Sequence, residues 1–171
     1  MKYLFVALGL LMGFYSCTMD EKEGAAESIV YDLFQSSDYS YQGKAEIRNL
    51  VNGEVEVVLT LDGPGSESPY FFTSHLHFGA YDASGAEIAH VLNPIDIRTL
   101  ESRTILGQLS DGTQLTFGDI PSFDGHIKVH LADEGPDYNV ILVSGNIGSN
   151  DSSLGGFNKN KMTLCSPFFP K

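Results

Sequence analysis

From residue 39 onward, apolar and polar residues alternate with a period of two, in short runs separated by turn residues. In the clearest run, Val55, Val57 and Leu59 share one face, and the intervening positions are largely polar. This period predicts a half-buried strand, because successive side chains of a strand point to opposite faces. Asn52-Gly53 separates this run from a similar earlier one. The pair predicts a hairpin with a type I′ turn, which needs a positive φ at both residues.

About seven such strands follow one another at intervals of roughly 8–12 residues, without a convincing amphipathic helix or an internal repeat. This arrangement predicts an all-β domain over residues 39–150, folded as a Greek-key antiparallel β-sandwich or barrel. Residues 17–38 are polar and acidic, and we expect an acidic tether there. Within that segment, residues 29–34 fit either a helical turn or a first edge strand. Residues 151–171 are rich in small and polar residues and predict a flexible C-terminal tail.

The N-terminus combines a charged residue, a short apolar run and a small residue. Lys2 precedes an almost unbroken apolar run over residues 3–14, and Ser16-Cys17 follows. This order is typical of a secretion signal, and the run is too short to span a membrane. A cysteine directly after a small residue resembles a bacterial lipobox, with Phe14 where the family usually has leucine. The resemblance implies a signal peptide over residues 1–16 and acyl chains on Cys17; the alternative is plain secretion with Cys17 incidental.

The residues after Cys17 are acidic, and residues 18–23 resemble the surface-export tag of lipoproteins from Bacteroidetes-type bacteria. A solvated spacer without a receptor is the alternative. The lipoprotein resemblance implies a location in the bacterial cell envelope, at the outer membrane, on either its periplasmic or its surface face. The membrane would then be a partner through the N-terminal lipid anchor. Several acyl chains anchor stably, because each buried methylene contributes ~0.8 kcal/mol.

Net charge and cysteine count restrict the possible partners and bonds. Removing residues 1–16 leaves 155 residues, with 9 basic side chains against 22 acidic ones and a net charge of −13. Such a chain repels nucleic acid, so we expect no nucleic-acid partner. Once Cys17 is acylated, Cys165 is the only remaining thiol, and no intrachain disulfide can form. We expect Cys165 to be an inert thiol of the tail rather than a nucleophile.

The 5 histidines lie in three short stretches. His75 and His77 are two residues apart on one strand, so their side chains share a face at a spacing of about 6.5–7 Å. Imidazole is the commonest protein ligand for zinc and copper, and two rings at that spacing can converge on one ion. His126 and His130 are about 13 Å apart along a strand, so at most one of them should join the site. A third ligand from His90 would make the metal site convincing. The alternative is a pair of polar residues on a solvated face.

The order of these motifs resembles the copper/zinc superoxide dismutase family. The matching segments are His75-Leu76-His77, His90 followed by Asn93-Pro94, residues 125–135 with their acidic loop, and the last strand, residues 141–148. The resemblance implies the same β-sandwich fold and copper ligation by His75, His77, His90 and His130. His126 is left as a spare near the site. Asp133 or Glu134 would either orient a ligand imidazole or lie in a solvated loop.

Departures from that family restrict the kind of metal site that the resemblance implies. Five histidines cannot supply the six histidines and one aspartate of the two-metal site, and the structural disulfide of the family is missing. The arginine that guides superoxide has no counterpart beside the last strand. A copper-only variant fits best, and its implied reaction is superoxide dismutation with copper cycling between Cu(II) and Cu(I). The ligand chemistry alone suits zinc as well as copper.

A second resemblance is to chordin-type (CHRD) domains. These domains also have a His-x-His-x-Gly strand, which residues 74–79 match. They end in an apolar strand with Ser-Gly-Asn, which residues 143–147 match. That resemblance implies a non-catalytic surface module that binds a protein or glycan partner, with structural histidines. The sequence therefore leaves two hypotheses open: a metal-binding, dismutase-like envelope protein and a CHRD-type binding module.

Overall fold

The computed structural model describes residues 25–164, which form eight antiparallel strands and three short 3-10 helices. The strands are β1 (Ala25–Gln35), β2 (Gln42–Leu50), β3 (Val55–Asp62), β4 (Phe71–Phe78), β5 (Ile88–Asp96), β6 (Glu101–Ile105), β7 (Asp124–His130) and β8 (Ile141–Gly148). The 3-10 helices are Phe117–Ser122, Pro136–Asn139 and Lys159–Lys161. None of the helices within residues 25–164 is long and apolar enough to cross a membrane.

The strands form one closed barrel in the order β1-β2-β3-β6-β5-β4-β7-β8. The pairing of Phe34 with Ser144 joins β1 to β8 and closes the barrel. Strands β4, β5 and β6 are successive neighbours, and β7 returns to lie beside β4, which is a Greek-key arrangement. The predicted all-β, Greek-key antiparallel fold is therefore confirmed.

The hairpin predicted at Asn52-Gly53 is present between β2 and β3, but its turn type differs from the prediction. Gly53 has a φ of 83°, and Asn52 is not among the residues with positive φ. The Gly53 amide donates to the Leu50 carbonyl at 2.8 Å, and the Leu50 amide donates to the Glu54 carbonyl at 2.9 Å. Only one left-handed residue is needed in this longer loop, and glycine occupies that position.

The barrel begins earlier than the sequence pattern predicts. Strand β1 lies inside the segment expected to be an acidic tether, pairs with β2 along most of its length, and buries Tyr31 and Leu33 in the core. The tether prediction is therefore wrong for residues 25–35, and the edge-strand alternative is closer to the structure. Within this acidic segment a short period-two pattern directs Tyr31 and Leu33 into the core, and the strand that carries them pairs with both β2 and β8. Residues 1–16 and Cys17 lie outside the described residues, so the lipoprotein features stay predictions.

The C-terminal segment packs against the barrel as far as residue 164. The Phe157 ring lies 5.0 Å from that of Phe34 and 4.8 Å from that of Tyr81, measured between centroids. The Tyr81 hydroxyl donates to the Gly156 carbonyl at 3.1 Å and accepts from the Asn158 amide at 2.8 Å. The flexible-tail prediction is therefore wrong for residues 151–164, because aromatic packing fixes a segment whose composition suggests disorder. The rest of that predicted tail, residues 165–171, lies outside the described residues.

Alternate residues of each strand fill the barrel interior. On β7, Ile127 and Val129 are fully buried in this apolar core, and on β4 the core-facing residues include Phe72 and Leu76. The intervening residues of these two strands therefore point out of the barrel. Their outward faces carry the histidines of β4 and β7.

Candidate metal centre

Four of the five histidines lie together on the outer face of β4 and β7. His77 pairs in register with His126, and His75 pairs with Lys128. His130 follows at the end of β7. All four imidazoles have no exposed surface, although they point away from the barrel core. We call His75, His77, His126, Lys128 and His130 the histidine face.

Two structural elements cover the histidine face. The ring of Tyr138, in the 3-10 helix Pro136–Asn139, stacks on His130 with centroids 4.4 Å apart and an interplanar angle of 6°. The Lys128 ammonium donates to the Thr163 carbonyl at 2.6 Å, which ties the C-terminal segment to the middle of the face. A patch on the outside of the barrel is thereby removed from water.

Three of these histidines form a compact group. One possible ligand nitrogen from each of His75, His77 and His130 lies within 4.8 Å of the other two. The ring centroids of His75 lie 5.7 Å from His77 and 5.2 Å from His130. Metal–nitrogen bonds are about 2.0–2.1 Å, so small side-chain rotations would bring the three nitrogens onto one ion. The residues present therefore fit a transition metal held by imidazole.

Backbone carbonyls determine which ring nitrogen is protonated at two positions. The His130 Nδ1 lies 2.7 Å from the Tyr138 carbonyl oxygen, and the His126 Nδ1 lies 2.7 Å from that of Gly79. A carbonyl oxygen only accepts, so each Nδ1 carries the proton and each Nε2 carries the lone pair. Histidine ligands usually donate their second nitrogen to such a group, which fixes the tautomer and the ring orientation. His130 is therefore prepared to ligate through Nε2.

Burial keeps the imidazoles neutral at physiological pH. Desolvation lowers the pKa of His75 and His77 to about 3, and repulsion from the protonated forms of neighbouring histidines, together with Lys128 in the case of His77, adds to the effect. Burial lowers the pKa of His130 to about 4, although its hydrogen bond to Tyr138 opposes the shift. Neutral imidazole is the form that binds metal, so protons do not compete with a metal ion at neutral pH.

His90 does not lie in this group, so the structure brings together three of the four predicted ligands. It pairs in register with Leu76, a core-facing residue of β4, and it lies near Gly107. Directly paired residues share a face of the sheet, so His90 lies on the side opposite His75 and His77. A register one residue away would have placed it on the histidine face, and the spacing of His90 to Asn93-Pro94 does not reveal that register.

The other residues near the predicted site are the second β7 histidine, two acids of the following loop and Lys128. Of the two β7 histidines, His130 joins the group and His126 stacks on His77 with centroids 4.8 Å apart, which is consistent with the expectation that at most one of them would join. Asp133 and Glu134 are exposed, which agrees with the solvated-loop alternative. Lys128 was missed as a component of the site, although its position between His126 and His130 puts it on the same face.

No protein-family model, curated protein or solved structure matches this chain. The function of the protein is therefore inferred from the residues of the site and from the motif resemblances.

Proposed function

We propose that this protein is a lipid-anchored envelope protein whose barrel binds one transition-metal ion through His75, His77 and His130. The compact, buried group of three neutral imidazoles is the observation that supports this proposal. Copper is the favoured ion and zinc the second choice. Imidazole suits both, and the order of the motifs resembles copper-binding superoxide dismutases.

Each part of the histidine face has a distinct role in this proposal. The two β4 histidines supply one pair of ligands from a single rigid strand, and His130 supplies a third from the neighbouring strand. Tyr138 orients His130 through its carbonyl oxygen and excludes water with its ring. Copper bound there would supply one-electron chemistry between Cu(II) and Cu(I), as superoxide dismutation requires.

The burial of the ligands bears on whether such a centre turns over substrate. None of the three imidazoles has exposed surface, so a substrate reaches them only if the covering residues move. This favours a held metal with a structural, storage or sensing role over an open catalytic site. The non-catalytic surface module, related to CHRD domains and binding a protein or glycan, is therefore the second candidate function.

Metal analysis of the copper-loaded protein tests the proposal. We expect one copper per chain in the wild type and in His90→Ala, a matched control that removes a histidine from outside the group. We expect stoichiometric copper to be lost in His75→Ala and in His130→Ala. Absence of stoichiometric metal in the wild type, or equal loss in His90→Ala, would contradict the proposal. A dismutase assay of the loaded wild type then decides between turnover and a held metal.

The membrane anchor is tested independently of the metal. If Cys17 is acylated, the wild type fractionates with membranes and Cys17→Ser becomes soluble, while copper binding by the variant stays unchanged. An unchanged membrane fraction in Cys17→Ser would leave plain secretion with some other attachment as the explanation.

A further inference from the structure

We propose that the buried ammonium group of Lys128 determines which ion the histidine face holds, favouring monovalent Cu(I) over divalent Zn(II) or Cu(II). This inference rests on the proposed metal site and specifies its selectivity. In this role Lys128 is a specificity-determining residue that acts through its charge and does not ligate the ion.

Lys128 lies among the proposed ligands on the outer face of β7. It pairs in register with His75 on β4, and directly paired side chains on one face have Cβ atoms about 4.5–5.5 Å apart. It also lies two residues from both His126 and His130, a spacing of about 6.5–7 Å along the same face. Lys128 is only 1% exposed, so its side chain does not extend into water and its charge is poorly screened.

The ammonium group of Lys128 acts on the same imidazoles that would bind the ion. Its Nζ donates to the Thr163 carbonyl at 2.6 Å, which holds the group beneath the C-terminal segment. Its charge contributes, after the larger effect of burial, to the lowered pKa of His77, His126 and His130. A charge that disfavours a proton on an imidazole also disfavours a metal cation there, because both add positive charge to the ring.

The strength of this repulsion depends on the charge of the ion. One ammonium group repels a dication twice as strongly as a monocation, and burying an ion in a medium of low dielectric constant also costs more as its charge rises. Within residues 25–164, the group that could hold a metal contains only histidines, which do not offset that charge when neutral. With an effective dielectric constant of about 20 and a separation of about 7–12 Å, each added unit of ion charge lowers the affinity roughly 10-fold to 50-fold.

This charge effect restricts the choice of ion that imidazole ligation leaves open. Imidazole suits zinc and copper alike, and of these two only copper has a stable monovalent ion. Because the ammonium group destabilises Cu(II) more than Cu(I), it also raises the reduction potential of bound copper. A face that keeps copper reduced suits buried ligands better than a centre that must cycle between two charges.

Anaerobic competition titrations of the full chain, with chromophoric chelators for Cu(I) and for Zn(II), test the inference. Lys128→Met removes the charge, and we expect the ratio of the two affinities to shift at least about tenfold toward Zn(II). Lys128→Arg keeps a cation and should retain the wild-type ratio. Lys44→Met, at an exposed lysine, is the matched control and should also leave the ratio unchanged.

The ratio of affinities separates a charge effect from a structural one. If Lys128 only ties the C-terminal segment to the barrel, Lys128→Met weakens the binding of both ions equally, and the constant ratio overturns the inference while the histidine site stands. Lys128→Gln, a second neutral variant, provides the same test if Lys128→Met does not fold, as judged by circular dichroism. A wild type that binds neither ion contradicts the proposed metal site and the selectivity with it.

Discussion

The Nδ1 of His130 lies 2.7 Å from the carbonyl oxygen of Tyr138, and the rings of these two residues are stacked 4.4 Å apart. The strand ends at His130, and Gly135, with a φ of 73°, lets the chain turn back so that Tyr138 covers the imidazole. One residue thus orients the proposed ligand through its backbone and shields it with its side chain.

Replacing the Tyr138 ring tests the shielding. Tyr138→Ala should destabilise the protein by about 3–5 kcal/mol, because a buried aromatic ring is lost. It should also raise the pKa of His130 by admitting water, measured by NMR titration alongside urea unfolding. Tyr138→Phe keeps the ring and should retain most of the stability and a depressed His130 pKa. An equal pKa of His130 in the two variants would show that the ring does not shield His130 from water.

Stability of the metal-free protein should fall as the pH is lowered below about 6.5. The folded-state pKa values of His75, His77 and His126 are about 3 and that of His130 about 4, so the unfolded chain binds more protons between these values and 6.5. The contribution of these histidines to the free energy of unfolding is therefore fully present above pH 6.5 and is lost as the pH falls toward their folded-state pKa values. At pH 5 the loss is at most roughly 2 kcal/mol per imidazole. Urea midpoints that stay constant from pH 7 to pH 5 would contradict the assigned neutral cluster.

Lys128 should affect the histidines unequally. Its charge contributes to the lowered pKa of His77, His126 and His130, after the larger effect of burial, but it does not contribute directly to that of His75. Lys128→Met should therefore raise the first three pKa values more than the fourth in NMR titrations of the metal-free protein. Lys44→Met, at an exposed lysine, is the control and should leave all four unchanged.

The C-terminal segment should depend on Phe157. Phe157→Ala removes ring contacts with Phe34 and Tyr81, each worth about 0.5–1.5 kcal/mol beyond burial. Residues 151–164 should then exchange their amide hydrogens faster, while β3 keeps its protection. Leu154→Ala, at an exposed position, should leave exchange in the segment unchanged. Similar exchange in wild type and Phe157→Ala would mean that hydrogen bonds alone hold the segment.

Two glycines with similar backbone conformation should tolerate alanine differently. Gly148 has a φ of 70°, and a Cβ there would lie 1.9 Å from the Phe123 carbonyl oxygen. Gly53 has a φ of 83° with open space around it. Gly53→Ala should cost about 1–2 kcal/mol for the left-handed conformation, and Gly148→Ala should cost clearly more because the backbone must also shift. Urea unfolding compares the two, and equal losses would show that the close contact relaxes freely.

The period of two along the chain is enough to predict the strand-rich fold, because it imposes alternating faces wherever a strand forms. It also determined that His75 and His77 share a face, since this follows from their spacing alone. The predictions for β1 and for residues 151–164 were wrong because both segments are largely polar in composition. Their few apolar residues pack against distant parts of the chain, which composition does not show.

Which other side chains meet the His75–His77 pair depends on how the strands pack together. The register of β4 with β5 and β7 places His90 on the opposite face and brings His130 beside His75. Tyr138 and the C-terminal segment turn an outward face of the barrel into a buried one. Strand register and burial depend on how many distant residues pack together, so they cannot be predicted from local patterns in the sequence.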